Sequence, residues 1–157
     1  MHSRIFQVSK NRITKDNRIN KWRYDDYFIG RIADYVVESE DTDEDLKWLT
    51  TCKKGIEVVK KSKITILKIV SKEEYFESSF EEFQELIKKF NDYTLADFID
   101  SKNWMDFYQL KDSYDDKHGF YVDDNDEYVG ITSFDDFMRN VENGDTYYIG
   151  NTFDYHY

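Results

Sequence analysis

The segment Tyr121–Gly130, YVDDNDEYVG, places four carboxylates between two apolar pairs: Asp123, Asp124, Asp126 and Glu127. Such a group could bind a divalent cation, attract a basic partner, or form the polar tip of a hairpin. Aspartate and asparagine favour turns because their short side chains bond the neighbouring backbone. We therefore predict a hairpin tip whose acids stay in water, and we assign these four residues to a surface that meets a basic partner.

A calcium loop of the EF-hand type is the most specific metal site that this segment could form. That loop requires glycine at its sixth position. A loop begun at Asp123 places Tyr128 there, and a loop begun at Asp124 places Val129 there. Both frames fail, so we predict no metal ligands here and no cofactor.

The three histidines, His2, His118 and His156, are the other candidate metal ligands or bases. His118 follows Asp115 and Asp116 closely, so a small metal-assisted hydrolase built from Asp/Glu and His is an alternative function. The sequence has no H-E-x-x-H motif and no paired-histidine spacing. A single histidine is more often structural or exposed, and we therefore assign no catalytic residue among them.

Nucleophilic catalysis has little support in the sequence. Cys52 is the only cysteine, and the adjacent Lys53 and Lys54 would favour its thiolate. No histidine or asparagine is placed by sequence to complete a catalytic set. The chain also lacks the G-x-S-x-G, P-loop and dinucleotide-binding motifs. The residue pattern thus favours a protein that is not an enzyme.

The C-terminal tail is rich in tyrosine and contributes four more candidate binding residues: Tyr147, Tyr148, Tyr155 and Tyr157. In an alternating strand, neighbouring side chains point to opposite faces, so one face must be exposed or covered by a helix. Tyrosine is enriched at protein interfaces, yet most aromatic rings serve core packing. Both roles remain open for these residues.

Charge is distributed in blocks along the chain, which has a net charge of −11. Residues 1–24 carry +6 and residues 46–72 carry +7, whereas residues 92–157 carry −12. Basic strands could simply pair with acidic neighbours across a sheet. Alternatively, the acids of residues 92–157 form one exposed face that attracts a basic partner. The overall negative charge argues against binding to nucleic acid.

Composition indicates the class of protein. One cysteine cannot form an intrachain disulfide, the first residues lack the apolar run of a signal peptide, and no segment is apolar enough to span a membrane. We therefore expect a cytoplasmic protein without a membrane association. The absence of proline and the abundance of Lys, Ile and Asn point to a low-GC bacterium or a phage.

The elements that must position these residues are predicted as follows. Strands are expected at Arg4–Ser9, on both sides of Lys61–Lys63, around the 121–130 segment, and in the tail. Helix-capping sequences begin at Thr42, Ser71, Thr94 and Ser133, and the helix that begins at Thr94 is expected to run to about Leu110. The phenylalanine-rich stripe of residues 76–90 is predicted to be core, and residues 22–38 are ambiguous between helix and strand. The fold class is α+β.

We expect residues 1–157 to form a single domain with a mostly antiparallel sheet and about four helices packed on it. Residues 1–24 are its basic N-terminal segment, and residues 92–157 are its acidic, aromatic-rich part. The predicted function is non-enzymatic: a module of the inhibitor or immunity-protein type that engages a basic partner surface. A nucleic-acid mimic, with carboxylates spaced like phosphates, is a further alternative. The sequence leaves the oligomeric state open.

Overall fold

Seven strands form one mixed sheet in the computed structural model, which describes residues 1–25, 27–126 and 130–157. The strands are β1 His2–Ser9, β2 Tyr35–Glu38, β3 Ile56–Lys61, β4 Ile64–Ile69, β5 Tyr121–Asp124, β6 Ile131–Ser133 and β7 Thr146–His156. Their order is β3-β4-β7-β1-β5-β6, and β2 also pairs with β7. The β1–β5 pair is parallel and the other strand pairs are antiparallel. The mostly antiparallel α+β prediction is therefore confirmed, with a mixed rather than a purely antiparallel sheet.

Five α-helices and three 3-10 segments accompany the sheet in the described residues. The α-helices are α1 Thr42–Cys52, α2 Lys72–Asn91, α3 Leu95–Ile99, α4 Trp104–Tyr114 and α5 Phe134–Asn140. The 3-10 segments are Lys15–Asn17, Lys21–Tyr24 and Ser101–Asn103. The prediction of about four helices is too low, because the helix expected from Thr94 to about Leu110 is interrupted at Asp100, whose backbone is extended.

The predicted capping sequences do begin helices. Ser71, Thr94 and Ser133 each accept a hydrogen bond from a backbone N–H in the first turn of α2, α3 and α5. At α1 the cap is Asp41 rather than Thr42, because the Asp41 carboxylate accepts from two N–H groups. These caps fix where each helix begins.

The core consists of two clusters that draw alternate residues of β1. Phe6 and Val8 belong to a cluster covered by α1 and α5, and Ile5 belongs to a second cluster covered by residues 19–36. Since neighbouring side chains of a strand point to opposite faces, the two clusters lie on opposite sides of the sheet. The ambiguous residues 22–38 thus supply irregular cover and then strand β2 rather than a long helix.

Residues 72–114, here called the arm, lie mostly outside this core. The arm comprises α2, α3 and α4, and its buried residues are Tyr75, Leu86 and Ser113. The helices α2 and α4 pack on each other, with ring centroids of Phe90 and Phe107 4.7 Å apart. The prediction that the stripe of residues 76–90 is core is wrong for most of its length: Phe76 packs against the first core cluster, but Phe80 is 61% exposed.

No helix within residues 1–25, 27–126 and 130–157 combines the length and apolar character needed to cross a membrane.

Candidate binding surface

The outer part of the arm carries an unusual number of exposed apolar side chains. Seven of the fourteen residues from 95 to 108 are large, apolar and more than a third exposed. They are Leu95, Phe98, Ile99, Trp104, Met105, Phe107 and Tyr108. We call them the arm surface. A surface of this composition is typical of a site that another molecule covers.

The arm surface follows from the short, interrupted helices of this segment. The helix α3 begins at the Thr94 cap, where Thr94 and Asp97 bond each other reciprocally, and it ends five residues later. Leu95, Phe98 and Ile99 are spaced so that they share one side of α3, but neither core cluster of the described residues includes them. One ring contact connects α3 to α4, because the ring centroids of Phe98 and Phe107 are 6.2 Å apart. Within α4, the ring centroids of Trp104 and Tyr108 are 6.4 Å apart.

A cavity of about 310 Å³ opens at the base of the arm, between α2, α4 and α5. Its apolar lining includes Phe76, Phe80 and Phe83 of α2 and Tyr114 of α4. The Arg139 guanidinium closes one side and lies 4.1 Å from the centre of the Tyr114 ring. The cavity is large enough to receive an apolar side chain from a partner.

Acidic residues accompany these apolar groups. The arm contains eleven carboxylates and five lysines, a net charge of −6. Four glutamates, Glu73, Glu77, Glu81 and Glu85, follow one another at a spacing of four residues along α2, and all four are exposed. Residues four apart are neighbours on a helix, so these carboxylates form a continuous acidic ridge.

One acid of the arm is held internally instead. The Asp106 carboxylate accepts hydrogen bonds from Lys89, at 2.7 Å, and from the Tyr93 hydroxyl. These two donors lower the pKa of Asp106. The hydrogen bond between Tyr93 and Asp106 also raises the pKa of Tyr93 to about 12. This network ties α4 to the end of α2 and thereby positions the arm surface.

The predicted acidic tip is only partly in water. Asp123 lies on β5 and is fully buried, with one carboxylate oxygen 2.8 Å from Arg23 Nε. The prediction that Asp123 stays in water and meets a partner is therefore wrong. Its strand, β5, lies between β1 and β6, and residues 19–36 cover this face of the sheet. Burial raises the pKa of Asp123, and Arg23 opposes that rise.

The other three predicted acids of this segment differ from one another. Asp126 is exposed as a residue, yet its carboxylate accepts bonds from Ser9 Oγ, Lys10 N and Asn11 Nδ2. Asp124 is half-buried at the end of β5. Glu127 lies outside the described residues. Asp126 thus holds the N-terminal loop against the tip.

The four tyrosines divide into two buried and two half-buried side chains. Tyr147 and Tyr155 are buried, so their assignment to a binding surface is wrong and they serve packing; Tyr148 and Tyr157 keep partial exposure. A bulge explains why Tyr147 and Tyr155 pack in different clusters. The register of β7 against β1 shifts between Ile149 and Thr152, which reverses the side-chain parity of the strand.

Several acids of residues 92–157 pair with cations from the basic blocks. The Nζ of Lys10 lies 2.8 Å from Asp145, that of Lys53 lies 3.2 Å from Asp135, and Arg4 lies 2.6 Å from Asp154. Arg4 and Asp154 face each other directly across β1 and β7. With Asp123, these pairs remove four of the sixteen acids of residues 92–157 from a shared exposed face, and the exposed acids of the arm remain.

The histidines lie towards one end of the sheet but engage different partners. The rings of His2 and His156 are 5.0 Å apart, and each Nδ1 lies near a separate aspartate. The His118 ring stacks on Tyr157 at 4.2 Å. The described residues contain no group of three or more His, Cys, Asp or Glu side chains that could hold a metal ion. Cys52 is exposed at the end of α1.

Sequence reasoning assigned the residues of the arm surface to a helix but not to a binding role. The available signal is their density, with seven large apolar residues among the fourteen from 95 to 108. On each of the two short helices they lie on one side, as on a core-facing helix, so their spacing alone predicts burial and does not identify the exposure.

A scan against protein-family models, a search of curated proteins and a search of solved structures found no match to this chain.

Proposed function

We propose that this protein is a non-enzymatic binding module whose arm docks a basic partner protein. The observation that carries the proposal is the arm surface, which neither core cluster of the described residues covers. Single exposed apolar residues are ordinary on proteins, but seven within fourteen residues form an interaction surface. Aromatic residues such as Trp104 and Phe98 commonly supply most of the free energy of binding at such surfaces.

Charge favours a basic partner over a second copy of the chain. Two arms of charge −6 would repel each other on approach, whereas a surface rich in Lys and Arg would be attracted. The apolar residues would then provide the affinity, and the acidic ridge of α2 would orient the encounter. A protein of the inhibitor or immunity type whose target has a basic functional surface would act in this way.

Two synthetic helical peptides provide the direct test. Both present the same leucine face, and one carries lysine where the other carries glutamate. We expect the lysine peptide to bind, with an affinity that falls as salt is raised, and the glutamate peptide to bind much more weakly. Trp104→Ala should weaken binding about tenfold or more. Trp22→Ala is the matched control, since Trp22 is similarly exposed but lies in the N-terminal segment.

Equal binding of the two peptides would contradict the choice of a basic partner. If Trp104→Ala and Trp22→Ala weakened peptide binding equally, the binding site would not be on the arm surface. Sedimentation velocity tests whether a second copy of this chain occupies the arm surface instead. If the protein is a dimer and Trp104→Ala dissociates it, the arm surface is an interface between copies and the proposal is wrong.

A further inference from the structure

The apolar cavity at the base of the arm has the composition of a small-molecule site. Its volume of about 310 Å³ is at the lower end of the range of about 300–1,000 Å³ that is typical of such sites. Small-molecule sites combine mostly apolar and aromatic side chains with a few polar groups that orient the ligand. Here the lining is aromatic apart from two serines and Arg139, and no residue of the arm surface belongs to it.

The Arg139 guanidinium is held at the wall of this cavity by two residues of the lining. Its central carbon lies 4.1 Å from the centre of the Tyr114 ring and 5.0 Å from that of the Phe76 ring. Both distances are those of a cation–π contact. One terminal nitrogen also donates to the Tyr114 carbonyl. These contacts fix the positive charge against the aromatic lining.

Most donors of this guanidinium are without a partner. A guanidinium carries five N–H groups, and the bond to Tyr114 is the only one that the Arg139 side chain makes within the described residues. The hydroxyl of Ser79, a second polar residue of the lining, also makes no hydrogen bond to any described residue. Donors placed beside an apolar wall suit a ligand that brings its own acceptor.

The charges around the cavity favour a ligand with a single negative charge. Arg139 is the only cation of the lining, and no carboxylate lines the cavity within the described part of the chain. The four glutamates of the acidic ridge are exposed outside the lining, where water and salt screen them. A carboxylate matches one guanidinium in charge and can accept two parallel bonds from it, whereas a phosphate would keep part of its charge unbalanced.

We propose that this cavity binds a small carboxylic acid with an apolar body, such as a medium-chain fatty acid. The apolar body contacts the rings of Phe76, Phe83 and Tyr114, and the carboxylate accepts hydrogen bonds from Arg139. An apolar cavity of about 150 Å³ is sufficient for benzene, so one of about 310 Å³ accommodates a body about twice that size. The inference is independent of the docking of a partner protein, because the two sites share no residue.

Calorimetric titration of the whole protein with octanoate, 1-octanol and octylamine tests the proposal, since these ligands share one alkyl chain and differ in charge. We expect octanoate to bind at least about fivefold more tightly than 1-octanol, because a charge-assisted hydrogen bond adds to the apolar contacts. Octylamine, which is protonated at neutral pH, should bind most weakly.

Two arginine variants test the role of the guanidinium. Arg139→Gln should weaken octanoate binding at least about fivefold and leave 1-octanol binding unchanged, so that the preference for the acid is lost. Arg31→Gln is the matched control, because it makes the same charge change at an exposed position in residues 19–36, outside the lining. It should leave the binding of both ligands unchanged.

Two serine variants test the location. Ser79→Leu adds a larger apolar side chain to the lining and should weaken both octanoate and 1-octanol at least about tenfold, because it fills the cavity. Ser78→Leu is the matched control, since Ser78 is exposed on the same helix and does not line the cavity. Trp104→Ala should leave octanoate binding unchanged, so this site and the partner-docking surface can fail separately.

Several results would overturn the proposal. One is the absence of any heat of binding for octanoate up to about 10 mM, a limit set by the weakest useful affinities. Another is octylamine binding as tightly as octanoate. Equal losses of octanoate affinity within either pair of variants would show that only overall charge or helix stability matters. Finally, if the lysine peptide displaces octanoate and loses affinity in the Ser79→Leu variant, the cavity belongs to the partner-docking surface and is not a small-molecule site.

Discussion

At the scale of single residues, the buried pair of Asp123 and Arg23 is the most sensitive point of the fold. The Asp123 side chain is fully buried, whereas the Arg23 side chain is 42% exposed. Asp123 Oδ1 and the Tyr24 hydroxyl are both buried without a hydrogen-bond partner among the described residues, so Arg23 supplies the main compensation for the charge. Removing the arginine leaves a buried charge unpaired.

Arg23→Ala should therefore destabilise the protein by about 3 kcal/mol at neutral pH. This value is at the lower end of the range for breaking a buried ion pair, because Arg23 is partly in water. Urea unfolding measures the change. Adding Asp123→Asn to the same chain should restore much of the loss, since it removes the unpaired charge. A double variant no more stable than Arg23→Ala would contradict this explanation.

The same pair makes stability depend on pH in a defined direction. Burial raises the pKa of Asp123 above its value in the unfolded chain, against the influence of Arg23. The folded state then binds this proton more tightly, so the stabilising contribution is complete below about pH 4 and is lost as the pH rises through the folded-state pKa. Without Arg23 that pKa is higher still.

We therefore expect the Arg23→Ala variant to lose more stability than the unaltered protein between about pH 4 and pH 7. Free energies of unfolding measured in urea across this interval check it. Parallel pH profiles for the two proteins would show that Asp123 is not the titrating group responsible.

At the scale of elements, Gly55 connects the sheet to the arm. Its backbone is left-handed, with φ of +70°, and its carbonyl accepts from Val70 N at 2.9 Å and Ser71 N at 3.0 Å. A Cβ at this position would overlap the Ser71 carbonyl oxygen. The start of β3 and the start of α2 can approach this closely only because the residue is glycine.

Gly55→Ala should destabilise the protein by at least about 2 kcal/mol, from the strained backbone together with the overlap. Gly144→Ala is the matched control, because Gly144 is also left-handed but has no atom within 4 Å of the place that a Cβ would occupy. The control should cost about 1 kcal/mol, the strain alone. Equal losses in thermal or urea unfolding would contradict the close-approach argument.

The arm should also be less stable than the sheet. It buries few side chains, and its helices contact each other more than they contact the core. Amide protection follows burial and packing, so exchange should be fastest in α3 and α4 and slowest in β1 and β7. Hydrogen-exchange mass spectrometry separates these segments. Equal protection of the arm and the central strands would contradict an arm that opens independently.

Local features of the elements could be predicted from the sequence, but their burial could not. Helix caps depend only on residues close in sequence, since Ser71, Thr94 and Ser133 each accept a hydrogen bond from a backbone N–H three residues later. The helix starts at these residues were therefore correctly predicted. The exposure of Phe80 depends on whether α2 folds back on the sheet, which no local pattern determines. The parity of the tyrosine-rich tail depends on a bulge whose position is set by pairing with a strand far away in sequence.

At the scale of the whole molecule, basic and acidic blocks of the sequence interleave in space. The first strand pairs with the last, so Arg4 meets Asp154, and Lys10 meets Asp145 near the same strands. The charge blocks were evident in the sequence, but their pairing depends on the topology of the sheet. The arm keeps its excess of acid, and this is why the proposed binding surface is on the arm rather than on the segment 121–130.

The net charge of −11 should make the whole molecule more stable as salt is added. Screening reduces the mutual repulsion of the unpaired carboxylates, and exposed ion pairs lose little because each is worth about 0–1 kcal/mol. Between about 20 and 300 mM NaCl, a gain of about 1 kcal/mol would raise Tm by about 2–4 °C for a chain of this size. Replacing Glu77 and Glu81 with glutamine should raise Tm at low salt and reduce the salt dependence. A Tm that falls with salt would show instead that the interleaved ion pairs outweigh the repulsion.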